Sequence, residues 1–270
     1  MNRHQRRQQA RLDRKAVKGG MTQLEVASLQ PWADTLWRVM LPQFMINAML
    51  VITDQVLQDP DRKNWGENLA GQIQDEPLIP HQMMMDYKVA DGTVFHWLMN
   101  VIGEYVKACS MQQATIYDVD KVKDVQWLTQ MKSAWIISQW EGEYNPLHVH
   151  TECAMSTVMY LKIPEFLPST KPERDDDGCI VFIGSAAPEN RFTRQQLKVK
   201  PSPGDFLMFP AHQLHSVYPF RTEDGKGERR SVSYNADFMS KQAFEDKNHP
   251  ENRMAEAQAK STSKSNDPAL

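Results

Sequence analysis

The chain has 270 residues, 41% of them hydrophobic, and a formal net charge of −3 at pH 7, which suits one domain with a sizeable core plus accessory segments. No apolar run approaches the roughly 20 residues of a membrane span, and the N-terminus lacks a hydrophobic signal core. Its three cysteines, Cys109, Cys153 and Cys179, are odd in number and carry no metal-binding spacing, a pattern that fits a reducing cytoplasm rather than a disulfide framework.

The charge is unevenly spread. Arg3, Arg6, Arg7, Arg11, Arg14, Lys15 and Lys18 stand against Asp13 alone, so residues 1–20 carry +6 and leave −9 for the rest. A flexible basic arm is expected there. Such an arm can meet nucleic acid or an acidic partner, but no aromatic residues interleave for base stacking, and a solvated tail is the plainer expectation. Over 21–125 the pattern is helical. Ile46, Met49, Leu50, Thr53, Val56 and Leu57 recur at helical spacing before the stop at Asp59-Pro60, and Val94, Trp97, Leu98, Val101, Tyr105 and Val106 form a second stripe.

From 126 to 240 the pattern turns to strands, expected over 131–140, 147–150, 155–163, 178–184, 196–200, 205–209, 214–219 and 228–237. The stretch 167–177, with two prolines and Asp175-Asp176-Asp177, reads as a loop. Residues 241–270 are polar and read as a partly helical or disordered tail.

Within the strand-rich part, His148-Val-His150 places two imidazoles on one face of an extended strand, near enough to converge on one ion. His215 ends a short apolar strand, Asp205 to Pro210, and its turn; it is the natural third ligand. His212, three residues earlier, reads as a turn or pocket-rim residue. In the run from Glu228 to Phe238, Arg229, Ser231, Ser233 and Asn235 share one face, and Arg230, Val232 and Tyr234 the other. Four polar groups on one face point to a polar pocket.

Three pieces carry a family resemblance: His148-Val-His150 with Met155-Ser-Thr-Val-Met-Tyr-Leu161, Pro201 to Pro210 with His215-Ser-Val217, and Arg229-x-Ser231. Together they resemble the iron(II) and 2-oxoglutarate-dependent oxygenases, specifically the small prolyl-hydroxylase-like family common in phages and marine bacteria. The likeness covers about residues 131–238. It implies a mainly β fold, a double-stranded β-helix or jelly-roll barrel with N-terminal α-helices as its buttress. It also implies iron(II), 2-oxoglutarate and dioxygen, in a host cytoplasm if the protein is phage-encoded.

The co-substrate's distal carboxylate needs a guanidinium, which donates two parallel hydrogen bonds where a lysine offers a point charge. Arg229 is the expected anchor, with Ser231 beside it; Tyr160 and Asn145 are further polar groups of that pocket. Arg230, of opposite parity, is expected to be a surface charge.

Most of the superfamily uses His-x-Asp or His-x-Glu, so two ligand sets stay open here: His148, His150 and His215, or His150 and Glu152 with His215. A partial match to the cupin motifs supplies a competing reading, a metalloenzyme that does not use 2-oxoglutarate, and a non-catalytic jelly-roll binding module is a third. The substrate is unread. A protein or peptide side chain is the first expectation, with nucleobases, sugars and small metabolites also within the range of the fold.

Overall fold

A computed structural model describes residues 34–90, 92–114, 119–171, 173, 175–184 and 195–246. The expected basic arm, and the polar tail beyond Asp246, lie outside the described residues. In chain order the elements are β1 (Trp37–Met40), α1 (Gln43–Gln58), a 3-10 turn (Gly66–Asn68), α2 (His81–Asp86), β2 (Lys88–Val89), β3 (Gly92–Thr93), α3 (Val94–Gln113) and α4 (Val119–Val122). There follow β4 (Trp127–Gln139), β5 (Asn145–His148), β6 (Met155–Lys162), β7 (Ile180–Ile183), β8 (Gln196–Val199), β9 (Asp205–Pro210), β10 (His215–Val217), β11 (Arg229–Ser240) and α5 (Lys241–Glu245).

The strands from β4 onward, joined by β1, build two antiparallel sheets. One has five strands in the order β1-β9-β6-β11-β4, the other four in the order β5-β10-β7-β8. Alternation along each strand sorts side chains into layers. Phe206 and Met208 of β9, Met159 and Leu161 of β6, and Val232 and Tyr234 of β11 join Met45, Met49, Ile52, Leu98 and Ile102 of α1 and α3 in one apolar core. The opposite parity, Leu207, Phe209, Val158 and Tyr160, meets Ile180, Phe182, Val199 and Val217 of the second sheet. The five-stranded sheet is thus covered on both sides, by helices and by the second sheet.

Parity on β4 survives a local irregularity. Ser133 pairs with Asn235, but Met131 pairs with Ala236, so Lys132 is an extra residue. This β-bulge lets Met131 and Ala134 face the helices together while Trp135 and Ile137 face the other way.

Two features depart from the sequence expectations. Trp37–Met40 forms a strand inside the region read as helical, paired with β9 from Trp37↔Met208 to Met40↔Asp205, and Arg38 grips the buried Asp205 through two 2.7 Å hydrogen bonds. Arg230 is not a surface charge. Its parity does turn it away from the second sheet, but α1 covers that face, so it is buried and bonded to Glu228 at 2.7 and 2.8 Å, to Thr53 at 3.2 Å and to Asp54.

Candidate metal centre

The second sheet brings the histidines together. His215 opens β10 and pairs with His148 at the end of β5 on one side and with Phe182 of β7 on the other. The strand ends at His148 rather than running on to Glu152, and the backbone N–H of His150 is held instead by Ala211 O at 2.9 Å. Ring centroids are 4.2 Å apart for His148 and His215, 5.2 Å for His150 and His215, and 5.4 Å for His148 and His150. One nitrogen from each lies within 4.8 Å of the others, a grouping able to hold a metal ion.

Backbone carbonyls set the tautomers. His148 Nδ1 lies 2.7 Å from Pro146 O and His215 Nδ1 lies 2.9 Å from Gln213 O. A carbonyl only accepts, so both Nδ1 atoms carry the proton, and Nε2 keeps the free lone pair that a metal needs. Burial, with the neighbouring imidazoles adding to it, pushes His150 down to about 3; burial and His148 push His215 down to about 4. Burial also lowers His148. All three are therefore neutral near pH 7, as ligands must be.

The histidines line a cavity of about 550 Å³ that also reaches Asn145, Glu152, Tyr160, Arg229 and Ser231. Every residue singled out in the sequence for metal or co-substrate therefore borders the same space. Glu152 stands apart within it. It is exposed, with φ +58, in the left-handed region, and is not part of the three-nitrogen grouping. His212 is also outside, exposed and 3.2 Å from Asp34.

Arg229 sits at the buried end. Its Nη1 donates to Gly178 O at 2.8 Å and its Nη2 to Gln139 Oε1, while Phe220 and Tyr160 lie 5.4 and 5.9 Å from the guanidinium carbon. Nε has no partner, nor does the Tyr160 hydroxyl. Among the described residues no carboxylate pairs with this cation, although it is 1% exposed. Burial lowers its pKa and pushes Tyr160 up to about 12.

Sequence reasoning missed one wall of the cavity. The segment from Asn64 to Ile79 runs along the free edge of β4, with bridges Asp75↔Ser138 and Leu78↔Trp135, and crosses to Tyr144 through Gln72. It contributes Trp65, Asn68, Leu69, Ala70 and Glu76 to the lining. Its irregular pairing leaves no periodic signal.

Residues 133–235 match the model of a family described as "Putative 2OG-Fe(II) oxygenase", which bears out the resemblance read from the sequence over that span. Solved structures similar to this chain are prolyl hydroxylases and 2-oxoglutarate-dependent oxygenases. A Pseudomonas putida prolyl-4-hydroxylase is 12% identical, with 75% of this chain and 91% of that one covered at a TM-score of 0.43. The viral collagen prolyl hydroxylase of Paramecium Bursaria Chlorella virus-1 is 12% identical over 74% and 94% at 0.42. A Trichoplax adhaerens prolyl hydroxylase, solved with a peptide fragment of the hypoxia inducible factor oxygen degradation domain, is 12% identical over 87% and 93% at 0.43. No curated protein matches the chain.

Proposed function

We propose that this protein is a non-haem iron(II) dioxygenase that couples the oxidative decarboxylation of 2-oxoglutarate to hydroxylation of a substrate carbon. The observation that carries the reading is Arg229, a buried cation with no acidic partner among the described residues, in the same cavity as three neutral imidazoles. A charge left unpaired at such depth is costly unless an anion arrives to meet it.

The residues fit both groups. His148, His150 and His215 would hold iron(II) through nitrogen donors of suitable hardness, with Pro146 O and Gln213 O orienting two of the rings. Glu152 is left outside the ligand set in this reading. Arg229, steadied by Gln139 and Gly178, would receive the distal carboxylate of 2-oxoglutarate, and the unpartnered Tyr160 hydroxyl would add a hydrogen bond. Ser231 and Asn145 line the same space. The apolar Val158, Ile180, Phe209 and Val217 keep bulk water from that end. When bound, iron and the oxo acid supply the oxidising power; the chain supplies position, charge and dryness.

The distribution of strands β4 to β11 over two antiparallel sheets, alternating except for the β7–β8 pair, supports the double-stranded β-helix. Free thiols at Cys109, Cys153 and Cys179 support a cytoplasmic setting. Among the described residues no helix is long and apolar enough to cross a membrane. A protein or peptide side chain is the substrate favoured by the sequence resemblance to prolyl hydroxylases.

Anaerobic titration of the metal-free protein with iron(II) and 2-oxoglutarate tests the reading. A visible charge-transfer band is expected only when both are present, and is expected to weaken greatly in Arg229→Ala. Metal binding without that band would put the cupin-type enzyme first. Loss of His215 with no consequence beyond stability would leave the binding module.

A further inference from the structure

Glu76 is the only carboxyl side chain among the described residues with a fully buried oxygen, Oε2, that lacks a hydrogen-bond partner. It is 1% exposed and lines the same cavity as the histidines. The backbone holds it there firmly. Its N–H donates to Asn64 Oδ1 at 3.2 Å, its carbonyl accepts from Trp65 N at 2.9 Å, and Asn64 Nδ2 donates to Gln74 O at 3.1 Å. Gly71 makes room for the carboxyl: a Cβ there would lie 2.5 Å from Asn145 Oδ1 and 3.2 and 3.3 Å from the two Glu76 oxygens.

The surroundings do nothing to stabilise a negative charge. Trp135, Ile137 and Ile73, with Trp65, Leu69 and Leu78 against them, form a separate apolar cluster around this wall. Burial, followed by repulsion from Glu143, pushes Glu76 up to about 7. A purely structural acid would be given a donor, as Asp205 is given Arg38. The cavity's basic residues do not pair with it: Lys132 bonds Asp237 at 3.0 Å, and the hydrogen bonds of Arg229 go to Gly178 and Gln139. Glu152 is the other acid of the lining.

We propose that Glu76 receives a cationic nitrogen of the substrate, an ammonium or guanidinium carried on an aliphatic arm that lies along Trp65, Leu69 and Trp135. The proposal rests on the oxygenase reading and names the substrate class for it. The cation restores the charge on Glu76 through charge-assisted hydrogen bonds, and the indoles favour a cation and its alkyl stem over a neutral polar group. The arm is thereby fixed, and with it the carbon presented to the three imidazoles. Glu76 is a positioning residue: it binds the substrate away from the reacting carbon.

The test uses the full-length chain, first without metal and then with zinc(II) and 2-oxoglutarate, titrated with N-propylguanidinium and with its neutral counterpart N-propylurea. Ligand-observed NMR reads the two affinities. The guanidinium is expected to bind roughly tenfold tighter or more than the urea, and Glu76→Gln is expected to abolish that preference while leaving the urea affinity as it was. Equal affinities in the wild type, or a preference that survives in Glu76→Gln, would overturn the proposal. If the variant does not fold, equal affinities in the wild type still overturn the proposal. The charge-transfer band reports separately on metal and oxo acid, so a failure here is distinguishable from a failure of the oxygenase reading.

Discussion

Arg229 and Arg230 are neighbours on one strand, both buried, yet they inhabit opposite electrostatic worlds. Arg230, on the helix side of the five-stranded sheet, meets Glu228 and Asp54. Arg229, on the side facing the second sheet, meets a carbonyl, an amide oxygen and two aromatic rings, with no acid among the described residues. The same contrast separates Asp205, held by Arg38, from Glu76, whose buried Oε2 has no partner among the described residues. Charges that hold this fold together are paired within the chain. Arg229 and Glu76, which face the cavity, are left for something that arrives from outside.

The strongest way to break this contrast is to remove a cavity group that is already neutral. His215→Ala deletes one of three proposed ligands and is expected to weaken iron(II) binding by roughly 100-fold or more, while the circular dichroism of the folded chain is retained; undiminished iron affinity would remove His215 from the ligand set.

Next comes the arginine pair. Arg230→Met is expected to cost the metal-free protein about 2 kcal/mol, because Glu228 loses its buried partner, with the loss moderated by the half-exposed Asp54. Arg229→Met should change the same unfolding free energy by less than about 1 kcal/mol, since relief of an unpaired charge offsets the bonds lost to Gly178 and Gln139. Affinity for 2-oxoglutarate should show the reverse order, falling with Arg229→Met and holding with Arg230→Met. Urea unfolding and calorimetric titration would show whether the two substitutions cross in this way.

A further prediction concerns Glu76 and has a defined sign with pH. The folded acid keeps its proton to about pH 7, against 4.5 for an ordinary glutamate, so the native state binds more protons than the unfolded state across that interval. Stability is then fully present below 4.5 and is lost as pH rises through 7. Glu76→Gln escapes that loss. It should be more stable than the wild type at pH 8 by roughly 3 kcal/mol and equal to it at pH 4. A substitution that destabilises at pH 8 would mean that the carboxylate has a partner in the native state.

The parts of this arrangement that were legible in the sequence are those set by local period or spacing. Parity along Glu228 to Phe238 put Arg229 on the cavity side of the sheet, and the run from Asp205 to His215 marked a strand, its turn and a candidate ligand. Parity could not say what covers the other face: Arg230 turns the expected way, but α1 lies over it. His150 was expected on a continuous strand and instead reaches the cluster from a segment held by Ala211, a tertiary contact with no sequence signature. Trp37–Met40 is four residues long and owes its conformation to the edge of β9. The wall that presents Glu76 pairs with β4 only through isolated bridges, so neither helical nor strand period runs through it.

That short first strand has a consequence for how the molecule behaves in a crowded solution. Without Trp37–Met40, β9 would be the outermost strand of the five-stranded sheet, offering an open row of amides and carbonyls along Asp205, Phe206, Leu207 and Met208. Apolar strands left open in this way recruit other chains edge to edge. By occupying that edge and placing Arg38 over Asp205, four residues remote from the histidines protect the sheet from self-association.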